Sequence, residues 1–158
     1  MSNLSHPPIC YCCSQKSYAE CCEPFHLGQR LNQLEKCAPT AEALMRSRYS
    51  AFCTGNADYL FATLHPSFRQ LDELQQLQKT MGRTQWLGLR IINSRAGQVE
   101  FVAFFKTEKV EQLHENSNFI FEDGAWFYTH GIQLPALKLN RNDACYCGSL
   151  RKLKKCCG

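Results

Sequence analysis

The sequence predicts an α+β protein whose helices precede an antiparallel sheet, with a small cysteine unit near each end. Three observations predict it. Apolar residues recur at helical spacing between Leu44 and Met81, and aromatic and β-branched runs dominate from Trp86 to His130. The same cysteine spacing then occurs near both ends of the chain. Helices followed by a strand meander pack as helices on one face of the sheet.

The first helix is announced by Pro39-Thr40, with Thr40 as N-cap and Glu42 suited to the positive end of the helix dipole. Leu44, Met45, Tyr49 and Phe52 follow at helical spacing, and Gly55 stops the run. A second helix fits Asn56 to Leu64, capped by Asn56 and ended by His65-Pro66, and Leu71, Leu74, Leu77 and Met81 suggest a third before Gly82. Strands are expected over Trp86–Asn93, Val99–Thr107, Val110–Glu122 and Ala125–His130. Turns fall at Arg95-Ala96-Gly97 and at Glu122-Asp123-Gly124, where Asp-Gly between aromatic runs signals a type I′ hairpin. Pro135 marks the exit towards the second cysteine unit. Residues 8–24, 38–134 and 139–158 are therefore read as three units.

With 158 residues, the chain has the length of one domain with short appendages. The first residues show neither a basic nor an apolar export segment, and the longest apolar runs fall far short of the ~20 residues of a membrane span. The expected compartment is the cytoplasm, where thiols stay reduced and clustered cysteines bind metal more often than they pair. The formal net charge of +4 counts all eleven cysteines as neutral. A zinc ion held by four thiolates carries about −2, so two such sites bring that balance to about zero and remove bulk charge as an argument for nucleic-acid binding.

The two cysteine units are an internal repeat. Cys10, Cys12, Cys21 and Cys22 share the spacing C-x-C-x8-C-C with Cys145, Cys147, Cys156 and Cys157, with Tyr after the first cysteine and Ser two residues after the second. Zinc takes four ligands tetrahedrally and suits thiolates, and four sulfurs close the shell, so two structural Zn2+ sites are expected. Tyr18 and Leu153 occupy matching positions and offer an apolar cover to each site. Direct disulfides between adjacent cysteines are disfavoured, because Cα atoms ~3.8 Å apart lie below the usual window of about 4.4–6.8 Å. Crossed pairs such as Cys145–Cys156 remain open on spacing alone. Cys13 stands where the second unit has Gly148, so either Cys13 competes with Cys12 as a ligand or the turn tolerates a side chain. Cys37 and Cys53 lie outside both units, Cys53 as a packing residue on the first helix.

The segment Arg141 to Ser149, with Cys145-Tyr146-Cys147-Gly148 and the ending Lys154-Lys155-Cys156-Cys157, resembles the SEC-C motif, the zinc-binding tail of the SecA translocation ATPase. Two such motifs around Thr40 to Phe52, Leu64-His65-Pro66-Ser67 and Gly124 to Tyr128 resemble the YchJ-like family of bacterial proteins. That resemblance covers nearly the whole chain and implies a central domain similar to nuclear transport factor 2 (NTF2), with helices on a curved antiparallel sheet. It brings no activity with it. In SecA the corresponding tail docks the chaperone SecB, which implies a protein-interaction role.

Two further sites are candidates. Arg46, Tyr49, Tyr59, His65, Trp86, Tyr128 and His130 are polar or aromatic residues that an NTF2-like pocket between helix 40–54 and the sheet would gather, with Arg46 and Tyr49 on one helix face to hold a small anionic ligand. The plainer reading makes Tyr49 a core residue, pairs Arg46 or Arg48 with a carboxylate, and has His65 capping the preceding helix. Paired carboxylates, a nucleophile elbow and a phosphate-cradling loop are absent, so the sequence favours a binding protein over an enzyme. Lys138, Arg141, Arg151, Lys152, Lys154 and Lys155 oppose only Asp143 around the C-terminal unit. This basic knuckle suits an acidic protein partner, with phosphate backbone ranked behind because few aromatics interleave.

Overall fold

A computed structural model describes residues 8–158; residues 1–7, which carry the expected lack of an export signal, lie outside the description. Four helices, α1 (Glu23–Arg30), α2 (Ala41–Thr54), α3 (Ala57–Thr63) and α4 (Glu73–Thr80), precede four strands, β1 (Gln85–Arg95), β2 (Gln98–Lys106), β3 (Val110–Glu122) and β4 (Ala125–Gln133). The strands pair antiparallel in the order β1-β2-β3-β4. No helix among the described residues is long and apolar enough to cross a membrane.

Local chemistry sets most boundaries. Thr40 accepts the Ala43 N–H at the start of α2, and Gly55 ends it at φ 74°, a left-handed value that glycine adopts without strain. Asn56 caps α3 through the Tyr59 N–H. Asp123 (φ 51°) and Gly124 (φ 81°) both take the positive φ that a type I′ turn requires. Ala96 (φ 49°) and Gly97 (φ 79°) make the same turn between β1 and β2.

Three features depart from expectation. Helix α1 is absent from the sequence pattern; it starts directly after Cys22, with Glu23 in its first turn and Pro24 at a position where the missing N–H costs nothing. Leu71 lies outside α4 and is fully exposed, so the third apolar stripe begins later than its spacing suggests. Strands β1 and β4 run beyond Asn93 and His130, carried by register shifts at Ile91/Asn93 and Asn118/Phe119.

The inner face of the sheet supplies Leu89, Val99, Phe101 and Phe119 to a core shared with Leu44, Tyr49 and Leu60 of the helices. Cys10, Cys12 and Cys22 belong to that same core. The outer face carries a second cluster, in which Val102 and Phe104 are covered by Tyr146 with Leu87, Leu137 and Leu153 around them. The segment after β4 is fastened to this outer face. The Gln112 side chain donates to Leu137 O (2.9 Å) and accepts from Leu137 N (2.8 Å), while His114 Nδ1 donates to Pro135 O (2.6 Å).

Candidate metal centres

Each cysteine unit is a tight turn followed by a short 3-10 turn, and the two copies share several hydrogen bonds. Cys10 N donates to Lys16 O (2.7 Å) as Cys145 N donates to Arg151 O (2.8 Å). Cys21 N closes on Tyr18 O as Cys156 N closes on Leu153 O. Ser14 Oγ lies 3.1 Å from Cys21 Sγ, and Ser149 Oγ lies 3.2 Å from Cys156 Sγ. Even the unusual backbone repeats, since Gln15 (φ 72°) and Leu150 (φ 62°) occupy matching positions.

These turns bring Cys10, Cys12, Cys21 and Cys22 together, and likewise Cys145, Cys147, Cys156 and Cys157, with the sulfurs of each set within 4.8 Å of one another. Zn–S bonds near 2.3 Å place tetrahedral sulfurs about 3.8 Å apart. The observed separations of 3.6 Å for Cys12–Cys21, 3.4 Å for Cys147–Cys156 and 3.8 Å for both adjacent pairs fit that shell. They are far too long for S–S bonds of about 2.05 Å, and all eleven cysteines are free, so the crossed disulfides are not formed.

The thiol electrostatics point the same way. Hydrogen bonds from Cys12 and then Cys22 hold the Cys10 thiol far below its usual range. Cys22 is pushed far up, chiefly by Cys10 and Cys12, and Cys12 is raised to about 11, chiefly by Cys10. At the other end the Ser149 hydroxyl, Arg151 and Cys147 lower Cys156 to about 6, while burial and Cys145 raise Cys157 to about 12. Each set thus supports one thiolate and opposes the next. A divalent cation would remove that opposition, and the residues present fit a bound metal.

The structure separates Cys13 from Cys12. Cys13 is not in the four-sulfur set; its Sγ donates to Tyr11 O (3.6 Å), and its backbone adopts φ 61° where Gly148 has φ 81°. The turn tolerates the side chain. Across it the two knuckles touch, with Gln15 Nε2 donating to Gly148 O (2.9 Å).

The central-domain candidates are scattered. Arg46 pairs with Glu42 (3.0 Å) and donates to Cys12 O (2.9 Å), so it braces the first knuckle. Tyr49 is buried edge-on to Trp86, with ring centroids 5.7 Å apart. Arg48 meets no carboxylate directly among the described residues. It donates to Leu60 O (2.8 Å) and the Thr63 hydroxyl (2.7 Å) and stacks on Tyr128, and burial lowers it to about 10. Tyr128 donates to Glu115 (3.0 Å). His65 Nδ1 accepts from Ser67 N (3.2 Å), capping the next turn rather than the preceding helix, and Nε2 meets Glu122 at 2.6 Å. His130 stacks on Phe68, and Tyr59 bonds the Ser47 hydroxyl at 2.7 Å.

Sequence reasoning missed His26. Its Nε2 faces Ser47 O at 2.8 Å and must donate there, leaving Nδ1 to accept from Tyr18 OH at 2.7 Å. The available signal was the phenol of Tyr18, eight residues earlier in the chain.

Fold and thiol geometry together define an NTF2-like domain framed by two four-cysteine turns of matching backbone. The family model for the YchJ middle NTF2-like domain matches residues 40–131, and the SEC-C motif matches residues 141–158. A UPF0225 protein of Shewanella sp. (strain MR-4) is 41% identical over 98% of both chains, and one from Enterobacter sp. (strain 638) is 41% identical over 95% of this chain and 97% of its own. The chain belongs to this UPF0225, or YchJ, family. Among solved structures it is similar to a SEC-C motif containing protein from Rhodopseudomonas palustris, with a TM-score of 0.68 and 32% identity over 80% of this chain and 98% of that one. A SEC-C motif containing protein from Psychrobacter arcticus gives a TM-score of 0.62 at 28% identity, over 92% of this chain and 87% of that one.

Proposed function

We propose that the protein is a two-zinc adaptor of the reducing cytoplasm, whose C-terminal knuckle docks an acidic surface on a partner protein. The observation that carries this reading is the unequal placement of the two sites. The first is built into the core, whereas the second stands on the outer sheet face with Arg151, Lys152, Lys154 and Lys155 around it, Arg151 and the three lysines all exposed. The acidic residue of this unit, Asp143, accepts from Asn140 N at 2.8 Å and is thus engaged within its own turn. A closed four-sulfur shell leaves no open coordination position, which favours docking over metal catalysis.

Elemental analysis of reduced protein should find two zinc ions per chain, falling to one after Cys156→Ser and Cys157→Ser. Partner capture is best tested by reversing charge at Lys152, Lys154 and Lys155, because deleting the tail would also uncover Val102 and Phe104. Triple replacement by Glu should abolish capture while zinc content stays at two. Unchanged capture would sink the docking role, and a salt slope tied to added nucleic acid would redirect it.

A further inference from the structure

One ligand set occurs twice in this chain, once enclosed and once open to solvent. In the first set Cys12 is 0% and Cys22 1% exposed, both packed in the main core. In the second set the matching Cys147 is half-buried and the matching Cys157 is exposed. Charge differs in a way that also bears on reactivity. Arg151, Lys152, Lys154 and Lys155, all exposed, stand where the first copy has Lys16, Ser17, Ala19 and Glu20. Exposed sulfur in positive surroundings is the setting of a reactive cysteine, whereas buried sulfur is inert.

We propose that the C-terminal cysteine set is an oxidation site for peroxides, with Cys157 as the attacking sulfur and the first set protected by its burial. The proposal rests on the zinc reading of both sets given above and is independent of the docking role. A metal-bound cysteine is already a thiolate, the nucleophilic form, so no separate base is required. The Cys157 thiolate attacks one peroxide oxygen, an S–O bond forms, the O–O bond breaks, and the departing oxygen takes a proton to leave as water. A second thiolate of the set then attacks the Cys157 sulfur, forming an S–S bond and expelling hydroxide, which a second proton converts to water. Two thiolates have thereby given two electrons to the peroxide. Cys156 is a poor second partner, because adjacent Cα atoms ~3.8 Å apart fall below the usual disulfide window of about 4.4–6.8 Å. The pair Cys145 and Cys147 remains, with all four sulfurs of the set within 4.8 Å of one another. Two of four donors are then lost and the closed shell no longer holds the metal. The turn so altered carries Lys152, Lys154 and Lys155.

The test adds hydrogen peroxide to the zinc-loaded, reduced full chain beside a chromogenic zinc chelator. Free thiols are then alkylated and the peptides mapped by mass spectrometry. Zinc should number two before addition; fewer would overturn the zinc reading itself, before any oxidant acts. One zinc per chain should then be released, with the second following roughly tenfold more slowly or not at all. The early product should join Cys157 to Cys145 or Cys147, while Cys10, Cys12, Cys21 and Cys22 remain alkylated. A dithiol reductant with added zinc should restore two zincs. Release of both zincs at one rate, a first disulfide among the N-terminal cysteines, or equal release without peroxide would each overturn the proposal.

Discussion

The two knuckles have one backbone and two different settings. In the N-terminal copy Cys10, Cys12 and Cys22 are at most 1% exposed and lie in the main core, where Cys10 Sγ is 3.5 Å from Ser50 Oγ on α2. In the C-terminal copy only Cys145 is buried, Cys157 is exposed, and attachment runs through Tyr146 stacked on Phe104 at 4.9 Å. The same thirteen-residue turn therefore acts once as a part of the core and once as a module docked on a finished sheet. After Cys22 the chain enters α1, whose His26 is bonded to Tyr18 and to Ser47 O of α2, and this anchors the first turn in the core.

The largest expected effect sets these two placements against each other. Cys22→Ser should remove more than about 4 kcal/mol or abolish cooperative unfolding, since a lost structural metal is among the few changes that reach that size. Cys157→Ser should leave the main transition within about 1 kcal/mol and loosen only residues after Leu139. Urea titrations of the two variants decide it. Equal losses would mean that the second knuckle is also part of the core.

Gly88 tests the docking contact directly. A Cβ at this position would sit 1.7 Å from Tyr146 O, a backbone atom that cannot step aside without moving the knuckle. Gly88→Ala should cost about 1–3 kcal/mol and raise amide exchange in residues 144–158, with two zincs retained. Unaltered exchange there would show that the sheet, rather than the knuckle, yields.

A pH effect is expected beside the first knuckle. Burial lowers the pKa of His26 below its ordinary value. The unfolded chain then binds the extra proton first, so stability from neutral His26 is full above about pH 6.5 and is lost as pH falls through the depressed folded value. Below about pH 6.5 stability in urea should fall, with a slope of at most about 1.4 kcal/mol per pH unit. His26→Gln should flatten it, with zinc content followed in parallel. A slope unchanged by that substitution would assign the effect to other groups.

Local chemistry was legible in the sequence, and long-range geometry was not. Thr40, Gly55, Asn56 and Asp123-Gly124 set their boundaries through contacts within a few residues, and so do the cysteine turns, which is why spacing alone gathered eight cysteines into the two four-sulfur sets. The pocket candidates depend on distant partners instead. Arg46 reaches back 34 residues to Cys12 O, and His65 reaches 57 residues forward to Glu122. No periodicity encodes such pairings.

The smallest expected effect concerns the one position where the repeat breaks. Cys13 holds φ 61° with a side chain, whereas Gly148 holds φ 81° without one. A left-handed residue with a Cβ costs about 1 kcal/mol, so Cys13→Gly should raise stability by up to that amount and leave zinc at two. The turns also face each other: a Cβ on Gly148 would lie 3.0 Å from Cys13 Sγ and 3.2 Å from Ile9 Cδ1. Gly148→Ala should therefore destabilise alone and less so in a Cys13→Gly background, a coupling that a double-mutant cycle reads directly. Zinc loss on Cys13→Gly would instead make Cys13 a ligand. Additive effects of the two changes would mean that the knuckles merely lie side by side, with no shared packing at this turn.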